Sequence, residues 1–198
     1  VVNYDISESI IKSNYRLIYD DVSDMLENNN EEQIKKYFDV YPMLTDASEL
    51  YNILSRRRKR DGSLDFDLPE SRIILNEDGE PIDVILSDRR VANRLIEEFM
   101  LAANRTVAEH YFWAKKPFAY RVHEKPDTLK MMELKEFLMN LGFCLNGKSD
   151  SIKTKELSNI LTMLDGKPEE ALVSRVMIRT MQKAYYSSEC LGHYGLAF

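Results

Sequence analysis

Residues 88–112, DRRVANRLIEEFMLAANRTVAEHYF, form the longest strongly periodic stretch of this chain. At about 3.6 residues per turn, apolar side chains recur on one wide arc of the helix that this pattern predicts. The members of the arc are Val91, Ala92, Leu95, Ile96, Phe99, Met100, Ala103 and Val107. An arc of this width is typical of a helix that is buried on two sides. We therefore expect a central core helix here.

The polar side chains of this helix fall into two groups. A ladder of opposite charges four residues apart indicates a solvated face, and it consists of Arg94, Glu98, Arg105 and Glu109. A separate column lies almost opposite the apolar arc, and it consists of Arg90, Asn93, Glu97 and Asn104. One carboxylate among two amides and a guanidinium can exchange hydrogen bonds with a sugar hydroxyl or a phosphate. A solvated face or a structural polar contact would explain the same column, and spacing leaves these interpretations open.

Four stretches of the chain agree, in order and spacing, with one known family. They are RLIYDDVSDML at residues 16–26, RRVANRLIEEFMLAAN at 89–104, RVHEKPD at 121–127 and MIRTMQKAYYSSECLGHYGLAF at 177–198. Together they resemble the catalytic domain of the ribonuclease R and ribonuclease II family of exoribonucleases. Because they span nearly the whole chain, the resemblance implies a partial catalytic (RNB) domain over residues 1–198.

The resemblance implies an activity and a metal requirement. The family hydrolyses single-stranded RNA processively from the 3′ end to nucleoside 5′-monophosphates, with two divalent ions, usually magnesium, held by four clustered aspartates. The aspartate pattern of the family, D-x-x-x-x-x-D-x-D-D, does not occur in this sequence, and neither does its arginine-containing motif. We therefore expect a fragment without catalytic or metal-ligating residues, inactive by itself, whose magnesium site belongs to the missing parts of the same catalytic domain.

The resemblance also assigns substrate-binding residues. Tyr19, in the RLIY motif, is expected to read the ribose near the scissile bond, and Glu97 to accept a hydrogen bond from a 2′-hydroxyl, the group that distinguishes RNA from DNA. Phe66 is expected to stack on the last bases, since every base has a π-face. Further wall residues of the RNA channel are Arg90, Asn93 and His193. On pattern alone, Tyr19 would be a half-buried tyrosine at the end of a strand, and Phe66 a core residue.

The remaining elements predict an α+β fold that is mainly helical, with six or seven helices and a small antiparallel sheet. Alternation at Val2, Tyr4 and Ile6 predicts one or two strands within residues 1–19, in a sheet whose other strands need not lie within this chain, and residues 64–68 alternate as a short extended segment. A hairpin is expected over residues 71–87, packed beneath the central helix. Further helices are expected to begin at Asp127 or Thr128, at Thr154 and at Pro168, and the lone His123 is expected to be hydrogen-bonded structure.

Composition limits the class of protein. The net charge of −6 argues against an autonomous, nonspecific nucleic-acid binder, so that any RNA contact has to be local. Two cysteines, Cys144 and Cys190, are too few for a disulfide framework, and no run reaches the roughly 18 apolar residues of a membrane span. A cytoplasmic protein is expected. The absence of an initiator methionine and the apolar end GLAF suggest a fragment.

Two alternatives stay open. The run RRRKR at residues 56–60 closes a predicted helix, where cations suit the negative end of the helix dipole, but it would also fit an RNA-phosphate contact. For the whole chain, the alternative to an exoribonuclease part is a non-catalytic helical scaffold that binds RNA or another protein. A free-standing metal enzyme is disfavoured, because the sequence shows no clustered set of ligands.

Overall fold

The computed structural model describes residues 1–66, 70–87, 89–148 and 152–198. Within these residues the helices are α1 Tyr19–Asn28, α2 Glu31–Lys36, α3 Tyr41–Asp61, α4 Val91–Trp113, α5 Thr128–Asn140, α6 Thr154–Leu164 and α7 Glu170–Thr180. The strands are β1 Glu70–Leu75, β2 Pro81–Ser87, β3 Tyr120–Val122 and β4 Tyr185–Ser187. The chain forms two compact units, unit 1 (Val1–Leu54 and Asp88–Ala114) and unit 2 (Ser55–Ser87 and Lys115–Phe198). The predicted class, α+β and mainly helical, is confirmed.

Unit 1 is built on a small core in which α1 packs against α2 and α4. The buried side chains of this core are Val22, Met25, Tyr37, Leu44 and Ala92. Asp20 and Asp21 do not cap α1. They lie inside its first turn instead, after Ile18 at the cap position, which provides no side-chain cap. Their charges still suit the positive end of the helix dipole.

The predicted strands of residues 1–19 are absent from the described chain. Residues 1–18 form no helix or strand, and the side chains of Val2, Ile10 and Ile11 are exposed. A strand needs a neighbour that accepts and donates its backbone hydrogen bonds, and no described residue provides one here. The alternation of apolar residues was therefore insufficient. A contact from this segment joins the hydroxyl of Tyr4 to Nδ1 of His110, at 3.2 Å.

The long helix α4 buries a narrower stripe than its sequence predicts. Ala92, Leu95 and Glu98 are buried, with Glu98 only 4% exposed, although Glu98 was expected on the solvated ladder. Met100 is 58% exposed and Ile96 is also exposed, although both were expected inside. The buried residues are three apart, so α4 makes a one-sided contact with its unit. The predicted start at residue 88 lies outside the described residues.

The predicted hairpin forms, but its burial was predicted wrongly. Strands β1 and β2 pair antiparallel, with Ile73 opposite Val84. The turn is closed by Asn76, whose side-chain oxygen accepts from the backbone N–H groups of Asp78 (3.0 Å) and Glu80 (2.8 Å). Apolar side chains of both strands are exposed, namely those of Ile73, Leu75, Ile82, Val84, Ile85 and Leu86. A face packed beneath a helix would have buried a row of them.

Unit 2 has its own, larger core, where α5 and α6 both pack on α7. Its most deeply buried side chains are Met131, Leu134, Leu138, Leu157, Leu164, Val173 and Met177. The start of α5 was predicted correctly, because the side chain of Asp127 accepts from the N–H groups of Leu129 (2.8 Å) and Lys130 (3.3 Å). On this helix Leu129 is exposed and Met131 is buried.

Substituting Gly62 with alanine is expected to destabilise unit 2 by about 1–3 kcal/mol. Gly62 ends α3 with φ +91°, and an added Cβ would lie 2.7 Å from the backbone Cα of Lys155. The matched control is Gly142→Ala, because Gly142 has φ +85° but open space around its Cβ position. Urea unfolding of both variants should show the larger loss at Gly62. Equal losses would mean that the contact with Lys155 costs nothing.

Candidate functional site

The residues that the sequence predicts as substrate-binding are divided between the two units. Unit 1 contains Tyr19, Arg90, Asn93 and Glu97, and unit 2 contains Phe66 and His193. Tyr19 is the first residue of α1 and not the end of a strand. Its side chain is 50% exposed, so its ring and hydroxyl can be reached by a ligand.

Arg90 fixes the beginning of α4. Its guanidinium donates to Asp24 (2.6 Å) and to Oε2 of Glu27 (2.8 Å), both on α1. The other carboxylate oxygen of Glu27 accepts from the backbone N–H of Val91 at 2.8 Å. That bond lowers the pKa of Glu27, and the bond from Arg90 lowers the pKa of Asp24. Glu27 on α1 thus caps the beginning of α4, and the sequence did not predict this contact.

Substituting Glu27 with alanine is expected to cost about 1 kcal/mol of stability at neutral pH, the usual cost of losing a helix cap. The folded chain lowers the pKa of Glu27 below its ordinary 4.5. Its contribution is therefore complete above that value and declines as the pH falls below it. Urea unfolding at neutral and acidic pH should show a difference from the parent chain that narrows in acid. Glu31→Ala, in an exposed pair with Lys35, is the control, and an equal loss there would contradict this role.

Glu97 lies in the second turn of α4, in an ion pair with Arg89. Its Oε2 accepts two hydrogen bonds from the guanidinium, one of them from Nε at 3.2 Å. The side chain of Glu97 is nevertheless 40% exposed. A paired carboxylate of this kind is held in one orientation while part of it stays open to a ligand. Asn93, one turn earlier, is half-buried.

Phe66 is half-buried against the core of unit 2 and also lines a groove of about 840 Å³. Its core packing is thereby shown, and its role as a base platform stays a prediction. The extended segment predicted at residues 64–68 is described only to Phe66, since Leu68 lies outside the described residues. Leu64 is buried, and its N–H donates to the carbonyl of Gly195 at 2.8 Å. The chain before Phe66 is thus anchored.

The groove beside Phe66 contains residues that sequence analysis missed. They are Glu124, Lys130, Ile178, Arg179, Met181, Gln182, Lys183 and Tyr185, together with His123. The mixture of cationic and apolar residues in 178–183 was the available signal. The run RRRKR does not line this groove. Its members Arg57 and Arg60 pair with Asp61, and Arg58 pairs with Asp65, as expected for helix-end structure.

His193 belongs to a tight turn that packs on His123. The two rings meet edge to face with centroids 5.0 Å apart. Nδ1 of His123 accepts from the N–H of Gly195 at 3.2 Å, which confirms the structural role expected for this histidine. A Cβ on Gly195 would lie 2.9 Å from that ring nitrogen, and one on Gly192 would lie 2.9 Å from the carbonyl of Phe198. At both glycines the backbone therefore lies close to its neighbour.

Both histidine rings are held neutral by their surroundings. Nδ1 of His193 and Nε2 of His123 are buried and have no hydrogen-bond partner among the described residues. Burial, followed by the nearby His123, lowers the pKa of His193 from 6.5 to about 4. Burial also lowers the pKa of His123, and the backbone of Gln182 raises that pKa by a smaller amount. The pair therefore resists protonation, which links the folded state of this turn to pH.

The described residues do not fit a metal site. Nowhere in the described ranges do three or more His, Cys, Asp or Glu side chains come together as ligands for an ion. The described helices also include none with the length and apolar character needed to cross a bilayer.

Unit 1 contains a paired acid on α4, and unit 2 contains an aromatic groove. The sequence profile of the RNB domain matches residues 1–198. The chain therefore belongs to the RNB domain family.

Its relatives within that family are ribonucleases R. Over 197 residues it is 40% identical to "Ribonuclease R 1" of Lactococcus lactis, a match that covers 100% of this chain and 24% of the relative. It is 41% identical over 194 residues to "Ribonuclease R" of Aquifex aeolicus, covering 98% of this chain and 27% of that protein. The chain thus spans about a quarter of the length of these relatives.

A solved structure shows the same fold. It is that of Mycoplasma genitalium RNase R in complex with ribose-methylated single-stranded RNA, with a TM-score of 0.78 at 26% identity. The superposition covers 90% of this chain and 28% of the solved chain. Together with the relatives, it shows that this chain has the fold of part of a ribonuclease R.

Proposed function

We propose that this chain is the substrate-holding part of a processive 3′-to-5′ exoribonuclease, which hydrolyses single-stranded RNA to nucleoside 5′-monophosphates. The single observation that carries the proposal is the RNB match over residues 1–198, reinforced by 40% identity to a ribonuclease R. Since the chain spans about a quarter of such a relative, the activity belongs to a full-length enzyme. The isolated chain is inactive.

Glu97 is the residue that we propose reads the sugar. A 2′-hydroxyl donates a hydrogen bond to its carboxylate, and a deoxyribose has no such donor. The pair with Arg89 supports this role, because it orients the acid before RNA arrives and so reduces the ordering cost of binding. Tyr19, whose side chain is exposed in the same unit, contributes its hydroxyl and ring to the same sugar. A hydrogen bond to an ionised acceptor is the stronger kind, so Glu97 has the larger effect.

The other wall residues have narrower roles in this proposal. Phe66 stacks on a base with the part of its ring that the core leaves open. Asn93 lies one turn before Glu97 on α4 and adds an amide to the same side of the helix. Arg90 holds the beginning of α4 through ion pairs with Asp24 and Glu27. His193 packs on His123 and so shapes the turn to which His193 itself belongs.

The proposed enzyme works with two divalent ions, magnesium, held by aspartates outside this chain. The proposed location is the cytoplasm. Cys144 and Cys190 are free and exposed, which fits a reducing compartment.

Incubation of an end-labelled oligoribonucleotide with magnesium tests the proposal. The full-length enzyme is expected to release nucleoside 5′-monophosphates from a free 3′ end and to stop at a blocked one. The 198-residue chain is expected to release none. If the full-length protein bound the oligonucleotide without shortening it, the alternative of a non-catalytic scaffold would replace the proposal. Mononucleotides released by the isolated chain would contradict its assignment as a part that only holds substrate.

A further inference from the structure

The groove in unit 2 combines an apolar surface with unpaired cations. Phe66, Ile178 and Met181 provide the apolar part of its lining. The cationic part consists of Lys130 from the first turn of α5, Arg179 from the last turn of α7 and Lys183 just beyond it. These residues are brought together because α5 packs on α7. A volume of about 840 Å³ lies within the range of small-molecule sites.

The charge of the groove is positive, although the chain carries a net charge of −6. Its lining includes three cations and one carboxylate, Glu124, which leaves an excess of two positive charges. That carboxylate is already engaged, since it accepts a hydrogen bond from the hydroxyl of Tyr185. No described carboxylate forms an ion pair with Lys130, Arg179 or Lys183. An anion entering the groove would therefore meet cations that need not first give up a partner.

We infer that this groove binds one nucleotide unit, with its base against Phe66 and Met181 and its phosphate on Lys130, Arg179 and Lys183. A base stacks on an aromatic ring whatever its identity, and a thioether packs well beside an aromatic face. A guanidinium matches two phosphate oxygens at once, and the lysines add point charges. The inference rests on the proposed function for the presence of RNA, and it adds a phosphate-binding set to the base platform already proposed.

The test is a titration of the isotope-labelled 198-residue chain, followed by NMR, with adenosine 5′-monophosphate, adenosine and inorganic phosphate. The nucleotide is expected to bind more tightly than either component and to shift signals of groove residues. Removing both Arg179 and Lys183 should weaken nucleotide binding by about five- to tenfold, allowing for their exposure. Phe66→Leu keeps an apolar side chain against the core and should weaken it by about fivefold or more, with phosphate binding unchanged.

The matched control is Arg175→Ala. Arg175 is exposed on α7 one turn before Arg179 and does not line the groove, so nucleotide binding should stay at the parent level. A short oligoadenylate distinguishes the two sources of the nucleotide. Tighter binding of the strand, lost in the same variants, would place the site on the path of RNA, whereas preference for the free nucleotide would make it a product site.

Three results would overturn the inference. The first is equal affinity for phosphate and nucleotide. The second is equal nucleotide affinity of the variant without Arg179 and Lys183 and of the Arg175 control. The third is that signal changes are confined to residues outside the groove. None of them would affect the exoribonuclease proposal, because that depends on mononucleotide release by the full-length enzyme. Conversely, an enzyme that failed to shorten RNA would contradict the exoribonuclease proposal, and the nucleotide titration of this chain would still test the groove.

Discussion

Substituting Glu97 with alanine in the full-length enzyme is expected to reduce its preference for RNA over DNA by about 10- to 100-fold. The carboxylate is paired with Arg89 but 40% exposed, so it is oriented and accessible at once. With a ribose it accepts a hydrogen bond from the 2′-hydroxyl. With a deoxyribose it would lose water contacts without gaining that bond, which is a cost that alanine removes.

The measurement is the ratio of hydrolysis rates on matched ribo- and deoxyribo-oligonucleotides. Glu109→Ala is the matched control, because Glu109 is on the same helix and also pairs with an arginine, Arg105, at 2.8 Å. The control should keep the parent ratio. An unchanged ratio in the Glu97 variant, together with a sharp fall in its melting temperature, would make Glu97 a structural ion-pair partner of Arg89 and nothing more.

Acidification through pH 6.5 to about 4 is expected to remove about 2 kcal/mol of stability from unit 2 through His193, after discounting for the part of the ring that solvent reaches. The folded chain lowers the pKa of this ring from 6.5 to about 4, mainly by burial and secondly through His123. The unfolded chain therefore binds the proton more readily. The stabilisation is complete above 6.5 and is lost as the pH falls through 4.

His193→Phe tests this directly, because it keeps an aromatic ring beside His123 and Phe198 but cannot be protonated. Its urea midpoint should change less between neutral and acidic pH than that of the parent chain. The control is His110→Gln, at the surface of unit 1 beside the Tyr4 hydroxyl, which should keep the parent dependence. Equal acid losses in the parent and in His193→Phe would contradict the assignment. Some loss should persist in the variant, since burial also lowers the pKa of His123.

Features that depend on one residue and its neighbours were predictable from the sequence. Asp127 caps α5 and Asn76 closes the hairpin turn, each through hydrogen bonds to its side-chain oxygen, and Gly62, which has no side chain, ends α3 with positive φ. Burial was less predictable, because it depends on which element packs where. Glu98 is buried and Met100 exposed on one helix, and periodicity cannot distinguish a wide apolar arc from a narrow contact.

The candidate site shows the same division. Its residues in unit 1 were found through a resemblance. The pairing of Glu97 with Arg89 was not found, because Arg89 lies just before the helix and eight residues away from Glu97 in the sequence. The cationic part of the groove was missed, because Lys130 and Arg179 are separated in sequence and meet only when α5 packs on α7. Sequence therefore predicted which chemistry is present, and tertiary packing determined where it is assembled.

The most direct test of the central claim, that this chain holds the RNA of an exoribonuclease, is a photocrosslink in the full-length enzyme without magnesium. An oligoribonucleotide with a photoreactive thiouridine at its 3′ end is bound and irradiated, and the modified peptides are identified by mass spectrometry. We expect adducts in the peptides that contain Tyr19 or Phe66. Adducts found only outside residues 1–198 would contradict the account.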